Sequence, residues 1–192
     1  MRIGVLAVQG AFAEMSAMFR AHGADTFEIR QRADLSRGMD MLALPGGEST
    51  VQGKLLKDLG LFDALKGEID CGLPVFATCA GLILLAQRIE DDSAVWFGSL
   101  PVSVRRNAYG RQLGSFSTRG EWNGAPDISM TFIRAPAITS IAPEVEVLST
   151  FNGAPTSVRW RSITAFTWHP ELSPCGVVVE YATKRPNTEE RQ

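Results

Sequence analysis

Short apolar runs alternate with segments of helical periodicity through the first half of the chain. Residues 2–8 form an apolar run with β-branched side chains, which is typical of a buried parallel strand. Residues 12–22 carry apolar side chains at spacings of three and four, so the pattern predicts a helix that ends at Gly23. The same criteria predict strands at 26–30, 39–44 and 74–77, and helices at 50–59, 61–69 and 82–89. This alternation indicates an open α/β sheet, whose ligands bind beyond the carboxyl ends of the strands.

After Glu90 the pattern changes to short strand-like runs that are separated by turn residues. The runs are residues 100–104, 114–118, 130–134, 145–149, 156–160 and 163–167. Asn152-Gly153, between two of them, is a strong β-hairpin signal. We therefore expect an α/β fold with an open, mostly parallel sheet flanked by helices, and with antiparallel strands added in the second half. No linker or repeat divides the chain, so we expect one domain spanning residues 1–192, with a disordered polar tail from about residue 184.

Composition excludes several classes of function. The 192 residues are 45% hydrophobic and 21% charged, with a formal net charge of -2 at pH 7. This balance is ordinary for a globular protein and offers no basic surface for nucleic acid or an anionic membrane. Three cysteines are too few, and odd in number, for a disulfide framework, and the apolar run at 3–8 is too short for a signal peptide. We therefore expect a cytoplasmic protein.

Cys79 lies where the predicted strand at 74–77 meets the helix that follows it. The sequence leaves no room for a loop there, so the side chain is held out at the edge of the sheet, as in a nucleophile elbow. The helix N-terminus beneath the thiol favours the thiolate, which is the reactive form. The alternative is a small core cysteine, the commoner role of this residue type, and position alone does not decide between the two.

A nucleophilic thiol needs a base, and the chain has two histidines. His22 lies near the end of the first predicted helix, a common place for a histidine without a catalytic role. His169 ends an apolar strand-like run and is followed by Pro170 and Glu171. A spacing of two returns a side chain to the same face of an extended chain, so the carboxylate of Glu171 can hold the imidazole in one tautomer. A surface histidine beside an unrelated glutamate is the alternative, but Cys79 makes a triad the better interpretation.

The segment PGGEST, residues 45–50, also follows a predicted strand. Gly46 and Gly47 permit a close approach of the backbone to a ligand and can present N–H groups to an oxyanion or a carboxylate. The alternatives are a tight turn, a helix N-cap at Ser49 or Thr50, and a phosphate-binding loop. No Gly-Lys-Ser/Thr sequence follows, which argues against the phosphate loop, whereas a helix cap is compatible with an anion site.

Two arginine-containing segments follow strand-like runs. Residues 105–112 read RRNAYGRQ, and residues 132–136 read FIRAP. A guanidinium at the end of a strand can bind a carboxylate through two parallel hydrogen bonds. For either segment taken singly, a solvated surface arginine is the simpler interpretation.

Together these segments resemble those of the class I, triad-type glutamine amidotransferases, and among them the glutaminase subunits of pyridoxal 5′-phosphate synthase. The matching segments are GVLAVQGA (4–11), LPGGEST (44–50), TCAGL (78–82), RNAYGRQ (106–112), FIRAP (132–136) and HPEL (169–172). The Cys, His and Glu motifs are shared by the class I enzymes, whereas GGEST, RNAYGRQ and FIRAP are specific to the vitamin B6 branch. The resemblance implies the flavodoxin-like, three-layer form of the α/β fold, with no cofactor and no metal.

The resemblance also assigns roles to the matching residues. Cys79 would attack the side-chain amide carbon of L-glutamine and form a thioester, with His169 as the base and Glu171 orienting it. The oxyanion hole would take backbone N–H groups from Ala80 and from Gly46 or Gly47. The residues that would bind glutamine are Gly47, Glu48, Ser49, Arg106, Ile133 and Arg134, with Arg106 as a candidate for the α-carboxylate.

The family further implies a partner for the chain. The ammonia would pass to a (β/α)₈ synthase subunit that makes pyridoxal 5′-phosphate, and Gln9 and Gly10 would face that subunit. Two adjacent glycines beside the nucleophile predict a conformational change at Gly46 and Gly47 when the partner docks. The segment after Leu172 matches the family's terminal helix poorly, since three consecutive valines and Gly176 favour a helix weakly, and its structure is left open.

Two alternative functions stay open. The chain could be a class I glutaminase that serves a different synthase, or a catalytically silent interaction subunit that has kept the fold. GGEST and RNAYGRQ favour the B6 branch over the first. The intact Cys79, His169 and Glu171 argue against the second.

Overall fold

The computed structural model describes residues 1–90, 92–108, 114–173 and 176–184. The helices are α1 (Phe12–Ala21), α2 (Ser49–Asp58), α3 (Phe62–Asp70), α4 (Ala80–Leu85) and α5 (Gly176–Thr183). The strands are β1 (Arg2–Leu6), β2 (Asp25–Ile29), β3 (Met41–Leu44), β4 (Val75–Thr78), β5 (Ala86–Ile89), β6 (Leu100–Arg105), β7 (Ser115–Trp122), β8 (Ala125–Ile133), β9 (Ala137–Ile141), β10 (Glu146–Phe151), β11 (Ala154–Trp160) and β12 (Ile163–Phe166). Two 3₁₀ turns span Arg32–Arg37 and Pro170–Leu172.

A seven-stranded sheet with the order β10-β11-β12-β4-β3-β1-β2 forms the centre of the molecule. The pairs from β12 to β2 are parallel, and β10, β11 and β12 pair antiparallel. In the register, Leu44 of β3 lies opposite Ala77 of β4, and Phe166 of β12 lies opposite Thr78 of β4. The segments that leave β3, β4 and β12 therefore emerge side by side at one edge of the sheet. The predicted fold class is confirmed.

The central strands place alternate side chains on opposite faces of the sheet. In β3, Leu42 and Leu44 belong to a first apolar cluster, and Met41 and Ala43 belong to a second. Buried residues of α2, α3 and α4 complete the first cluster, and buried residues of α1 and α5 complete the second. Helices therefore cover both faces of the sheet, which gives the three-layer arrangement.

The second half of the chain adds strands outside the parallel core. β5, β6 and β9 form a three-stranded sheet, and β7 pairs with β8 as a separate two-stranded hairpin. Asn152 and Gly153 join β10 to β11 with φ angles of 50° and 78°, as in the type I′ turn that this dipeptide favours. The predicted hairpin is confirmed, whereas β9 and the 3₁₀ turn Arg32–Arg37 have no counterpart among the predicted elements.

The helix predicted over residues 82–89 is wrong in its second half. α4 ends at Leu85, and Ala86 adopts extended backbone angles (φ -60°, ψ 139°). Residues 86–89 instead form β5, which pairs parallel with β6 and places Ile89 opposite Val104. Apolar residues at 86 and 89 fit the buried face of a helix or of a short strand, so periodicity could not distinguish them and strand pairing decided the outcome.

The segment after Leu172, which the sequence left open, contains a helix. In α5, Val178 and Val179 are fully buried against the second apolar cluster. Burial of this face outweighs the low helix propensity of consecutive valines. Residues 109–112 of the RNAYGRQ segment and the predicted tail at 185–192 lie outside the described residues. No helix in the described part of the chain is long and apolar enough to cross a membrane.

Candidate active site

A cavity of about 270 Å³ opens at the edge of the sheet where β3, β4 and β12 end. It is lined by Gln9, Gly10, Ala11, Gly46, Gly47, Glu48, Ser49, Cys79, Ile83, Arg106, Asn107, Ile133, Arg134, His169 and Leu172. The lining therefore contains every site residue that the sequence predicted except Ala80, which follows Cys79 in the chain, and Glu171, which contacts His169. Residues from distant parts of the chain meet here because parallel strands present their carboxyl ends at one edge.

Cys79 occupies the sharp turn between β4 and α4. Its φ of 48° and ψ of -99° lie in a region that L-residues rarely adopt, and backbone strain of this kind is concentrated at functional sites. The turn is held on both sides: the Cys79 N–H donates to the Phe166 carbonyl (2.8 Å), and a Cβ at Gly81 would overlap the Leu44 carbonyl oxygen. The thiol is 7% exposed, and its Sγ lies 4.0 Å from the Ile133 carbonyl oxygen.

His169 follows β12 and is fixed by its neighbours. Its backbone N–H donates to the Thr131 carbonyl (2.8 Å), and its ring Nδ1 lies 2.9 Å from Glu171 Oε1. The Thr78 hydroxyl donates to the same carboxylate oxygen (3.0 Å), and the Glu171 side chain is fully buried. The contact between His169 and Glu171 was expected on an extended chain, but Pro170–Leu172 is a 3₁₀ turn, which brings the carboxylate back to Nδ1 of the ring.

The protonation of His169 follows from this environment. Burial lowers the pKa of the imidazole, but the interactions with Cys79 and Glu171 outweigh it and raise the pKa to about 10. Because Nδ1 faces a carboxylate, the proton on Nδ1 stays in place and Nε2 is the nitrogen that can exchange one. Nε2 is buried and has no hydrogen-bond partner among the described residues. His169 is therefore an imidazolium at neutral pH, and the Nε2 proton is the one that it can give to a group in the cavity.

The PGGEST loop packs directly on His169. A Cβ at Gly46 would overlap Cε1 of the imidazole, so only glycine fits at this position. The Gly46 carbonyl accepts a hydrogen bond from the Ala11 N–H (2.9 Å). Since the C=O and N–H of one planar trans peptide point in opposite directions, the Gly47 N–H is directed away from Ala11.

Gln52 is a site residue that the sequence analysis missed. It lies on α2, is fully buried, and donates from Nε2 to the Gln9 carbonyl (2.9 Å) and the Pro45 carbonyl (3.2 Å). Gln9 in turn accepts the Glu48 N–H at its side-chain Oε1 (2.9 Å). These bonds tie the β1–α1 loop to the PGGEST loop. A polar residue on the buried face of a helix was the available signal.

Three charged side chains surround the mouth of the cavity. Arg134 donates from Nη2 to Glu48 Oε1 (2.6 Å), across the cavity from one loop to the other. Arg106 donates from Nη1 to Asp92 Oδ2 (2.6 Å), a partner that the sequence analysis did not identify. Among the described residues, no group of three or more His, Cys, Asp and Glu side chains could hold a metal ion.

Known proteins resemble the chain over most of its length. The SNO glutamine amidotransferase family matches residues 5–183. Pyridoxal 5′-phosphate synthase subunit PdxT of Desulfitobacterium hafniense is 50% identical over 173 residues, which are 90% of this chain and 87% of the relative. The protein of the same name from Methanocorpusculum labreanum is 50% identical over 181 residues, which are 94% of this chain and 95% of the relative.

A solved structure supports the same grouping. A crystal structure described as a glutamine amidotransferase superimposes with a TM-score of 0.88 at 36% identity, over 94% of this chain and 96% of the other. At this identity and coverage, the likeness extends beyond a shared fold. From the family match, the two relatives and this structure together, the chain belongs to the SNO glutamine amidotransferase family.

Proposed function

We propose that the chain hydrolyses L-glutamine to L-glutamate and ammonia through a thioester on Cys79. The observation that carries the proposal is the strained turn that holds Cys79 in one cavity with His169. The ring Nδ1 of His169 is hydrogen-bonded to the buried Glu171 carboxylate. A thiol with a base, and a carboxylate that orients the base, is the arrangement of nucleophilic acyl transfer. Membership of a glutamine amidotransferase family identifies the acyl group as the side-chain amide of glutamine.

The three side chains account for each proton in the reaction. The Cys79 thiol proton rests on Nε2 of His169 before the sulfur attacks the amide carbon, and the imidazolium gives it to the departing nitrogen, which leaves as ammonia. The same nitrogen then takes a proton from water, which attacks the thioester and releases glutamate and the free thiol. Glu171 accepts the Nδ1–H hydrogen bond and holds that proton in place throughout.

Backbone N–H groups stabilise the oxyanion in this scheme. Ala80 follows the nucleophile directly, as in other nucleophile elbows, and Gly46 or Gly47 supplies the second donor. The Gly46 carbonyl is held by the Ala11 N–H, so the position of the second donor depends on the loop that carries Gln9 and Gly10. The conformational change expected at Gly46 and Gly47 on docking of a partner stays a prediction, and free and docked structures with the same peptide orientation would contradict it.

The charges at the mouth of the cavity match the zwitterionic end of glutamine. Glu48 suits the α-ammonium group, and Arg106 and Arg134 suit the α-carboxylate. In the free chain Glu48 and Arg134 form an ion pair with each other (2.6 Å). Bound glutamine would replace it with two ion pairs, one at its α-ammonium group and one at its α-carboxylate. Ser49 and Ile133 complete the wall of the cavity.

We further propose that the ammonia is delivered to a (β/α)₈ synthase subunit that makes pyridoxal 5′-phosphate. Gln9 and Gly10 would lie on the face that docks this subunit, and the reaction would take place in the cytoplasm. Two relatives at 50% identity carry the name of that synthase, which favours this partner over the synthase of another pathway. The intact triad disfavours the silent subunit. The odd, low number of cysteines favours a reducing compartment.

The decisive experiment measures glutamine hydrolysis by this chain alone, with a pyridoxal 5′-phosphate synthase subunit, and as Cys79→Ala with that subunit. We expect activity that rises sharply with the synthase subunit and disappears in the variant, because no other described residue supplies the nucleophile. Activity that requires Cys79 but ignores the synthase subunit would keep the glutaminase and remove the pyridoxal phosphate assignment. Absence of activity in every combination would favour the silent subunit.

A further inference from the structure

One charged contact at the cavity joins two residues that are far apart in the sequence. Asp92 follows β5, and Arg106 follows β6. The parallel pairing of these strands, extended by a hydrogen bond from the Glu90 N–H to the Val104 carbonyl (2.8 Å), brings the two side chains together. Arg106 Nη1 then donates to Asp92 Oδ2 at 2.6 Å, and both side chains are 28% exposed.

Asp92 is itself fixed by the backbone. Its other oxygen, Oδ1, accepts the Ala94 N–H at 2.9 Å. The Ala94 N–H and the Arg106 guanidinium both hold the pKa of the Asp92 carboxyl below its ordinary value of 3.8, so the group is ionised at neutral pH. Asp92 therefore presents a permanent charge at a fixed point beside the cavity.

Within the described part of the chain, two other donors of Arg106 have no partner. Nε and Nη2 are buried and make no hydrogen bond with any described residue. Among the described residues, Asp92 is therefore the one hydrogen-bond partner that fixes the guanidinium of Arg106 in the wall of the cavity.

We propose that Asp92 is a positioning residue that holds Arg106 by Nη1 so that the guanidinium, in the wall of the cavity, receives the α-carboxylate of glutamine. The inference rests on the proposed function and adds a residue to it. Without Asp92 the guanidinium can rotate about a flexible side chain, and that freedom is lost on binding. Asp92 does not contact the reacting amide, so its removal affects recognition of the substrate and not the chemical step.

The test compares Asp92→Asn with Glu90→Gln in the full chain with the synthase subunit present. The control removes the neighbouring ion pair, between Glu90 and Arg105 (4.0 Å), whose members do not line the cavity. We expect Asp92→Asn to raise KM for L-glutamine about tenfold, since a hydrogen bond to a charged group is weakened, and to change kcat less than about twofold. Glu90→Gln should leave both parameters unchanged.

A second substrate separates positioning from a general structural effect. L-Glutamine α-amide lacks the carboxylate that Arg106 would bind. The KM and kcat for this substrate should therefore be the same in Asp92→Asn as in the unsubstituted chain. Equal losses on both substrates, an unchanged KM for glutamine, or a fall in kcat alone would each overturn the proposal.

Binding of glutamine to a Cys79→Ala chain, measured by calorimetry with and without Asp92→Asn, gives the same comparison without catalysis. An unchanged Kd there would also overturn it. A parent chain that neither binds nor hydrolyses glutamine would instead refute the proposed function.

Discussion

At the scale of single residues, the charge of His169 is tied to the folded state. Its pKa of about 10 lies above the ordinary value of 6.5 because Cys79 and the buried Glu171 favour the imidazolium against the cost of burial. A group whose pKa is raised on folding stabilises the fold fully below its unfolded pKa, near 6.5. That contribution is lost as the pH rises through about 10.

Glu171→Gln should return the pKa of His169 toward its ordinary value, because the amide keeps the shape of the side chain and removes its charge. The chain has two histidines, so NMR titration of the imidazole signals is simple once His22→Gln assigns one of them. In the wild type, the His169 signal should not titrate between pH 5 and about 9. In the variant it should titrate well below that limit, and kcat should fall on the order of 100-fold or more.

The same variant has a consequence for stability. The free energy of unfolding of the wild type should decrease between pH 6.5 and 10 through loss of the imidazolium, and the variant should show a shallower decrease. Equal slopes in urea unfolding at several pH values would mean that Glu171 does not set the charge of His169.

Sequence patterns identified single residues where local chemistry was enough. Cys79 at a strand-to-helix turn and His169 two residues before Glu171 are short-range signals, and the structure places them at one site. Asp92 had no such signal, and that of Gln52 was only a polar residue among the apolar positions of a helix. Their contacts with Arg106 and with the Gln9 and Pro45 carbonyls depend on strand pairing and on the packing of α2, which neighbouring residues in the sequence do not encode.

At the scale of elements, the site depends on how closely the PGGEST loop approaches the end of β12. Gly46→Ala would place a methyl group on the His169 ring, so the loop or the imidazole must move. A displacement of about 1 Å at a catalytic group can cost on the order of 100-fold in rate, and we expect a loss of kcat of that size. The free energy of unfolding should fall by about 1–3 kcal/mol through overpacking.

Gly67→Ala is the matched control for this substitution. Gly67 lies on the exposed face of α3, and a Cβ there meets no atom within 4 Å. The control should keep full activity and gain about 0.4–1 kcal/mol in stability, since alanine restricts the unfolded chain. Glutamine hydrolysis and urea unfolding measure both variants. Full activity in Gly46→Ala would show that the loop yields without affecting His169.

Elements were predictable from the sequence where local pattern and tertiary packing agree. β3, β4 and the turn at Cys79 follow from apolar runs that are bounded on one side by glycine or proline, and the β10–β11 hairpin follows from Asn152-Gly153. β5 and α5 were not predictable, for opposite reasons. At β5 an apolar helical periodicity yields to pairing with β6, and in α5 a run of valines with low helix propensity is helical because the sheet buries it.

At the scale of the whole molecule, both apolar clusters are built on the same strands. Leu42 and Leu44 of β3 face the first cluster, and Met41 and Ala43 face the second. Unfolding of the shared strands would therefore expose the apolar side chains of both clusters at once. We therefore predict that the chain unfolds as one cooperative domain, although α5 lies at the end of the described chain.

Val178→Ala tests that prediction against Val177→Ala, one position earlier on α5. Val178 is fully buried in the second cluster, whereas Val177 is 40% exposed. The first substitution should lower the free energy of unfolding by about 2 kcal/mol through a cavity, and the second should change it little, since alanine is the better helix former.

Cooperativity is decided by comparing two probes in the Val178→Ala variant. Trp122 and Trp168 lie in the second cluster, and Trp96 and Trp160 pack against the first, so tryptophan fluorescence reports both faces of the sheet, while far-UV circular dichroism reports the helices and strands. In one domain, the substitution shifts both transitions to the same lower urea concentration with an unchanged slope. If α5 and the second face unfolded separately, the two curves would divide in the variant, and the loss in stability would be confined to one of them.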